Sequence, residues 1–250
     1  MTLSRRQKLT IISLLLYWPT IFILTHMSLA RVPWPYWVVQ IPMPDKIFHY
    51  LAYLVLVFLL WFAISPNKKV NWRKAAVWWV LFVAVWYGVV DEWLQSYVGR
   101  DPDIMDFFAD LGGTLTSLIL LTIFSFWSAS LAVTGAIIFV LTNFIRANIA
   151  ELPPVINAAF HLFAYGFFTM LWLQYIHHFL PIKASQPKWL IGASAMPIGF
   201  LLAVELFSAV AGGGFRLSCV IISAVGIAAV VITIHLIALF RQRLTQKLSP

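Results

Sequence analysis

The sequence predicts an all-α, polytopic membrane protein with about eight transmembrane helices, arranged as two parallel four-helix repeats. Of the 250 residues, 62% are hydrophobic and only 10% are charged, which is far from the composition of a soluble globular domain. Apolar runs of about 18–25 residues recur, and a run of this length crosses a hydrocarbon core of roughly 30 Å. Two stretches about 112 residues apart are similar in sequence, which indicates an internal duplication.

The predicted spans follow the apolar runs in chain order. Because the runs are continuous and not alternating, we expect helices. The spans are 9–29, 47–64, 75–97, 104–124, 128–146, 155–179, 189–210 and 216–240. The first has the basic start of a signal peptide, but its apolar run is longer than a typical signal core of about 7–15 residues. It also has an internal counterpart at 128–146, so we expect it to be retained.

The positive charges predict the orientation. With the N-terminus in the cytoplasm, twelve basic residues fall on the cytoplasmic side and five on the opposite side, as the positive-inside rule expects. The five are Arg31, Lys46, Arg100, Arg146 and Arg216. The formal charge of +8 therefore reports topology, and no nucleic-acid partner is implied. Both termini are expected in the cytoplasm, and membrane lipids are the expected surroundings.

The duplication predicts two modules of unequal chemistry. Residues 48–53 recur as 160–165, and residues 91–96 are echoed by 204–209. A four-helix unit returns the chain to the same side of the membrane, so the two repeats should run parallel. We expect a module at 1–126 that carries a polar site and a degenerate module at 127–250 that serves as scaffold.

Acidic residues concentrate in the first module. Six of the nine in the chain fall between Asp91 and Asp110, at the outer ends of the third and fourth spans. Asp110 is too deep for ready snorkelling, so it should face the bundle and pair with Arg100, Lys46 or His49. Gly113, four residues after Ala109, forms a small-xxx-small pair that would let a neighbouring helix approach closely.

These polar positions converge on one membrane surface and predict an outward-facing site. The candidate catalytic residues are His49, Asp91, Glu92 and Asp106, and the candidate substrate-binding residues are Asp45, Lys46, Gln95, Arg100, Asp103 and Asp110, with Asp101 beside them. Structural readings stay open for single members. Asp45 or Asp103 could cap a helix, and His49 could only join two helices by a hydrogen bond.

Several spaced motifs resemble the VanZ-like family over roughly residues 10–125. They read Asp45-Lys46-x-x-His49-x-x-x-Tyr53, Asp91-Glu92-x-x-Gln95, Gly99-Arg100 and Asp103-x-x-Asp106-x-x-x-Asp110-x-x-Gly113. Family members often carry Asn where this chain has Asp110. The family name comes from a protein associated with low-level resistance to teicoplanin, a glycopeptide that acts outside the membrane. The resemblance implies a small envelope protein of the bacterial cytoplasmic membrane whose polar site faces outward.

Three functions remain open from the residues. An enzyme could act on a lipid-linked or phosphate-bearing envelope substrate, with His49 and a carboxylate as base and acid and with Arg100 and Lys46 holding an anionic headgroup. A non-catalytic protein could bind or shield an envelope component or a glycopeptide. A proton-coupled transporter is disfavoured, because carriers usually place their charges at the membrane midplane.

A divalent cation is one cofactor that the site could hold. Asp91, Glu92, Asp106 and His49 offer hard oxygen ligands and one imidazole, which suit Mg²⁺ or Mn²⁺. Their spacing in the sequence is not diagnostic of a metal, so the sequence leaves the metal ligands unassigned.

Overall fold

The computed structural model describes residues 4–26, 45–65, 68–98, 103–143, 154–179, 184–211 and 214–248. About 90% of the described residues are helical, and none of them forms a strand. The helices are α1 (Arg5–His26), α2 (Asp45–Ile64), α3 (Ala75–Gln95), α4 (Ile104–Ile123), α5 (Phe126–Asn143), α6 (Pro154–Phe179), α7 (Pro187–Val210) and α8 (Leu217–Leu248). The predicted all-α class is confirmed.

Seven of the eight helices, α2 to α8, are long and apolar enough to cross a membrane. Their ends lie close to those of the predicted spans, except that α8 runs on to Leu248. The first predicted span is not confirmed, because the apolar part of α1 is the shorter stretch Gln7–Ile23. Large apolar side chains such as Trp79, Trp86 and Phe163 are exposed, as expected for surfaces that face lipid.

The chain divides into two compact units, Met1–Val133 and Thr134–Pro250. The division falls inside α5, as does the boundary at 126/127 that the sequence predicts. The predicted arrangement as two parallel repeats stays a prediction.

In the first unit, α2 and α4 cross at Gly113. A Cβ on this glycine would lie 2.2 Å from the carbonyl oxygen of Tyr50, so the two backbones are in direct contact. Tyr50 also donates a hydrogen bond from its hydroxyl to Thr116 Oγ1, at 3.0 Å. The close approach predicted for Gly113 is confirmed, and it sets the positions of polar side chains on α2 and α4.

The segment before α3 ties the first unit together at the end remote from these polar side chains. Val70 N donates to the Leu121 carbonyl at 2.9 Å, and Lys69 Nζ donates to the Ile123 carbonyl at 2.6 Å. The last carbonyls of α4 are thus satisfied by groups outside the helix, one of them a cation suited to a helix C-terminus.

The second unit has a comparable crossing between α6 and α8. A Cβ on Gly226 would lie 2.5 Å from the carbonyl oxygen of Leu162. Next to this contact, His161 Nδ1 lies 3.1 Å from Ser223 Oγ, and both residues are buried. Glu205 on α7 is buried as well.

Candidate functional site

Polar side chains collect at the end of the first unit where α1 and α3 end and α2 and α4 begin. Their exposure falls steeply inward. The exposed fractions are 50% for Lys46, 43% for Asp103, 5% for Asp106, 3% for Asp110 and 0% for His49. We use the name polar site for these five residues and Glu92. It leads from the surface of the unit to its interior.

Lys46 and Asp103 form the mouth of the polar site. Lys46 Nζ donates to Asp103 Oδ2 at 2.6 Å and to Asp106 Oδ1 at 3.3 Å. Asp103 also caps α4, since its Oδ1 accepts from Met105 N at 2.8 Å. The capping role that the sequence left open for Asp103 is confirmed. The Lys46 ammonium holds the pKa of the Asp103 carboxyl below its usual range.

Replacing Asp103 with alanine is expected to lower the melting temperature more than replacing it with asparagine. The asparagine oxygen can still cap α4, whereas alanine removes both the cap and the ion pair. Because the folded-state pKa of Asp103 is depressed, its ionic contribution is present at neutral pH and is lost as the pH falls through that depressed value. Thermal unfolding of the unmodified protein and of both variants at neutral and acidic pH would check this, because only the unmodified protein has the Asp103 carboxylate. Equal melting temperatures for the two variants at neutral pH would contradict it.

Three residues from three helices meet below the mouth. His49 on α2, Glu92 on α3 and Asp106 on α4 each bring one potential ligand atom into a group whose members lie within 4.8 Å of one another. All three residues are buried. We call them the histidine–carboxylate cluster. It is the only group of this kind among the described residues, and it contains three of the four candidate catalytic residues.

Glu92 is held by one of its two oxygens. Its Oε2 accepts a hydrogen bond from the backbone N–H of Asp103 at 3.0 Å. Its Oε1 is buried and has no hydrogen-bond partner in the part of the chain that the structure describes. A buried carboxylate oxygen without a donor is costly, so this atom is available to a ligand.

Asp110 holds the ring of His49 from the interior side. His49 Nδ1 lies 3.0 Å from Asp110 Oδ1, which confirms the expectation that Asp110 pairs with one of three named donors. An ionised carboxylate can only accept, so it favours the tautomer of neutral His49 in which Nδ1 carries the proton and Nε2 is an acceptor. Gly88 on α3 makes room for this pair, because a Cβ there would lie 3.2 Å from Asp110 Oδ2.

Asp91 faces α1 and is not a member of the histidine–carboxylate cluster. Its Oδ1 accepts from Thr25 Oγ1 at 3.2 Å, and its Oδ2 accepts from Gln95 Nε2 at 3.1 Å. His26 Nδ1 lies 3.6 Å from the same carboxylate. Thr25 and His26 are not among the site residues that the sequence predicts. They could have been found from their position, because these two polar residues end an apolar run at the same membrane surface as the other polar residues.

Other candidates fall outside the described residues. Arg100 and Asp101 belong to this group, and so does the side chain of Asp45, whose backbone begins α2. The described positive charge at the polar site is therefore that of Lys46, which two carboxylates already share.

Fold and site together define a class: a helical membrane protein with a buried histidine and several carboxylates at one end of its first unit. Comparison with protein-family models, with curated proteins and with solved structures finds no match. The resemblance to the VanZ-like family therefore rests on the sequence motifs, and function has to be argued from the site.

Proposed function

We propose that this protein is a VanZ-like protein of the bacterial cytoplasmic membrane, with both termini in the cytoplasm, whose polar site acts on a lipid-linked component of the cell envelope. The observation that carries the proposal is the inward gradient from half-exposed Lys46 and Asp103 to buried His49 and Asp110. A lipid-linked ligand keeps its chain in the bilayer and its headgroup near the surface. A polar site at the end of a membrane-spanning unit is placed to meet that headgroup.

An apolar groove near Asp91 supports a ligand with a hydrocarbon chain. The groove has a volume of about 490 Å³, within the usual range for small-molecule sites, and lies between α1 and α3. Its lining residues are Leu14, Leu15, Trp18, Pro19, Phe22 and Tyr87. Phe22 stacks on His26, and Tyr87 precedes Asp91 by one helical turn. One end of the groove therefore lies about one helical turn from the polar groups around Asp91, and we assign the groove to the ligand's chain.

The polar site has the groups needed for proton transfer. His49 keeps Nε2 as an acceptor because Asp110 binds Nδ1, and this arrangement orients an imidazole as a general base. Glu92 and Asp106 lie in the same cluster and offer a carboxyl group as acid. These roles favour an enzyme that cleaves or transfers a phosphate-linked headgroup.

The lipid proposal predicts unequal effects of matched substitutions in the two halves. The purified protein in nanodiscs would be tested with polyprenyl phosphate and polyprenyl pyrophosphate, by native mass spectrometry for binding and by phosphate release for turnover. We expect His49→Asn and Glu92→Gln to lower turnover by about 100-fold, the lower end of what general acid–base groups contribute. The matched second-half variants, His161→Asn and Glu205→Gln, should retain most of it.

The outcomes separate the candidate functions. Turnover that is lost while lipid binding persists would support the enzyme. Binding without turnover in the unmodified protein would support a shielding protein, for which expression should still change teicoplanin susceptibility. Failure to bind either lipid, or equal losses in the two halves, would contradict the proposal.

We also propose that the two halves are copies of one module and that the second has become scaffold. In each half a histidine is bonded through Nδ1 to a side chain on the last helix of that half. In each half a glycine three residues after that side chain contacts the backbone of the residue that follows the histidine. The second half has Ser223 at the position that corresponds to Asp110, and so lacks the charge.

A further inference from the structure

We infer that His49, Glu92 and Asp106 form a binding site for one divalent cation of the Mn²⁺ type. The three donors come from α2, α3 and α4, and their ligand atoms lie within 4.8 Å of one another. Donors that share one ion at about 2.1 Å lie roughly 3–4 Å apart, so side-chain movement of about an ångström brings them to bonding distance. Two carboxylates with one imidazole suit Mn²⁺ better than Ca²⁺ or Mg²⁺, and Zn²⁺ is the natural competitor.

Glu92 supplies an observation independent of the clustering. Only 8% of this residue is exposed, and Oε1 has no hydrogen-bond partner in the described part of the structure. The other oxygen is engaged by the Asp103 backbone N–H, which fixes the side chain in place. A cation bound to Oε1 would satisfy an atom that burial otherwise leaves without a partner.

Many metal-bound histidines donate their second ring N–H to a carboxylate, and His49 and Asp110 form a pair of this kind. A carboxylate that accepts from one ring nitrogen fixes the tautomer and directs the lone pair of the other nitrogen to the ion. Here Asp110 Oδ1 lies 3.0 Å from Nδ1, so Nε2 is the atom that would bind. Asp110 is thus a positioning residue for the cation.

The balance of charge in the polar site also favours a cation. Glu92, Asp106 and Asp110 are buried together, and Lys46 divides its ammonium between Asp106 and Asp103. A divalent ion would offset the surplus of carboxylates. The inference stands on these contacts alone, without the lipid proposal. Where that proposal also holds, the ion would supply the positive charge that a phosphate headgroup needs, and His49 Nε2 would then serve as a ligand of the ion and not as the base.

The test is a titration of the full-length protein with Mn²⁺ alone. The protein would be stripped with a chelator and placed in phosphatidylcholine nanodiscs, which carry no anionic lipid, and free Mn²⁺ would be followed by electron paramagnetic resonance. We expect one ion per chain, displaced by Zn²⁺. Glu92→Gln and Asp106→Asn should each weaken binding by about 10-fold or more, since loss of a supporting group alone costs roughly 10–100-fold. Glu205→Gln is the matched control, because Glu205 is a buried glutamate of the second unit, and it should bind like the unmodified protein.

A second measurement guards against misfolded variants. Mn²⁺ should raise the melting temperature of the unmodified protein and of Glu205→Gln, and should leave that of Glu92→Gln and Asp106→Asn almost unchanged. If one of these two variants does not fold, the other carries the test. Absence of saturable binding, or equal affinity in the cluster variants and in Glu205→Gln, would overturn the inference. Because no envelope lipid is present, either result is independent of the lipid-binding experiment.

Discussion

Replacing Gly113 with alanine is expected to force α2 and α4 apart and to prevent stable folding of the first unit. The added Cβ would lie 2.2 Å from the Tyr50 carbonyl oxygen and 3.0 Å from Leu54 N, both of them backbone atoms. A backbone cannot rotate away as the end of a flexible side chain can. Overpacking of a core costs about 1–3 kcal/mol and sometimes more, which is a large share of the stability of a domain.

Matched glycines make this prediction specific. Gly226→Ala should have a similar effect on the second unit, since its Cβ would lie 2.5 Å from the Leu162 carbonyl oxygen. Gly192→Ala and Gly199→Ala are the controls, because a Cβ at either position meets nothing within 4 Å. Alanine there should be neutral or stabilise α7 by up to about 1 kcal/mol, the difference in helix propensity.

The measurement is thermal unfolding of the four variants in detergent, followed by circular dichroism and by labelling of a thiol. Cys219 is the only cysteine and is buried in the second unit, so its reaction with a maleimide reports unfolding of that unit. Gly226→Ala should expose Cys219 at a lower temperature than Gly192→Ala or Gly199→Ala. A Gly113→Ala protein as stable as the two controls would show that α2 and α4 do not cross as described.

The helices could be read from the sequence because each needs little more than a long apolar run. The predicted span 104–124 and the observed helix Ile104–Ile123 nearly coincide. Asp103 caps the start of this helix, and Asp is one of the residues preferred at that position. The sequence also predicts that Asp110 pairs with one of three residues, and His49 is the one observed. An Asp deep in an apolar helix needs a donor, and few donors exist at that level.

The neighbouring helix that each polar side chain contacts could not be predicted from the sequence in the same way. Asp91 and Glu92 are adjacent on α3, and the sequence predicts the same catalytic role for both. In the structure Asp91 bonds to Thr25 on α1, whereas Glu92 joins His49 and Asp106. Adjacent helical residues lie about 100° apart, so which one meets which neighbour depends on the packing of α1, and no motif in the sequence specifies that packing.

Substituting serine for Asp110 is expected to separate the structural role of this residue from its functional role. The second unit shows the same pairing with serine, since His161 Nδ1 lies 3.1 Å from Ser223 Oγ. Asp110→Ser should therefore keep a hydrogen bond to His49 and a folded first unit, while it removes the carboxylate that favours Nε2 as a ligand or as a base. We expect Mn²⁺ affinity and lipid turnover to fall by roughly 10–100-fold, the usual cost of losing such a partner.

Asp110→Leu is the contrasting variant. It leaves Nδ1 of fully buried His49 without this acceptor and adds apolar bulk close to Gly88, so it should destabilise the unit by about 1–3 kcal/mol or more. Melting temperatures of the two variants, measured beside Mn²⁺ titration and turnover, distinguish the roles. If Asp110→Ser unfolds like Asp110→Leu, the correspondence between the two halves fails. If it folds and retains full affinity and turnover, the charge of Asp110 has no part in the chemistry, because the hydrogen bond that serine keeps is then all that His49 requires.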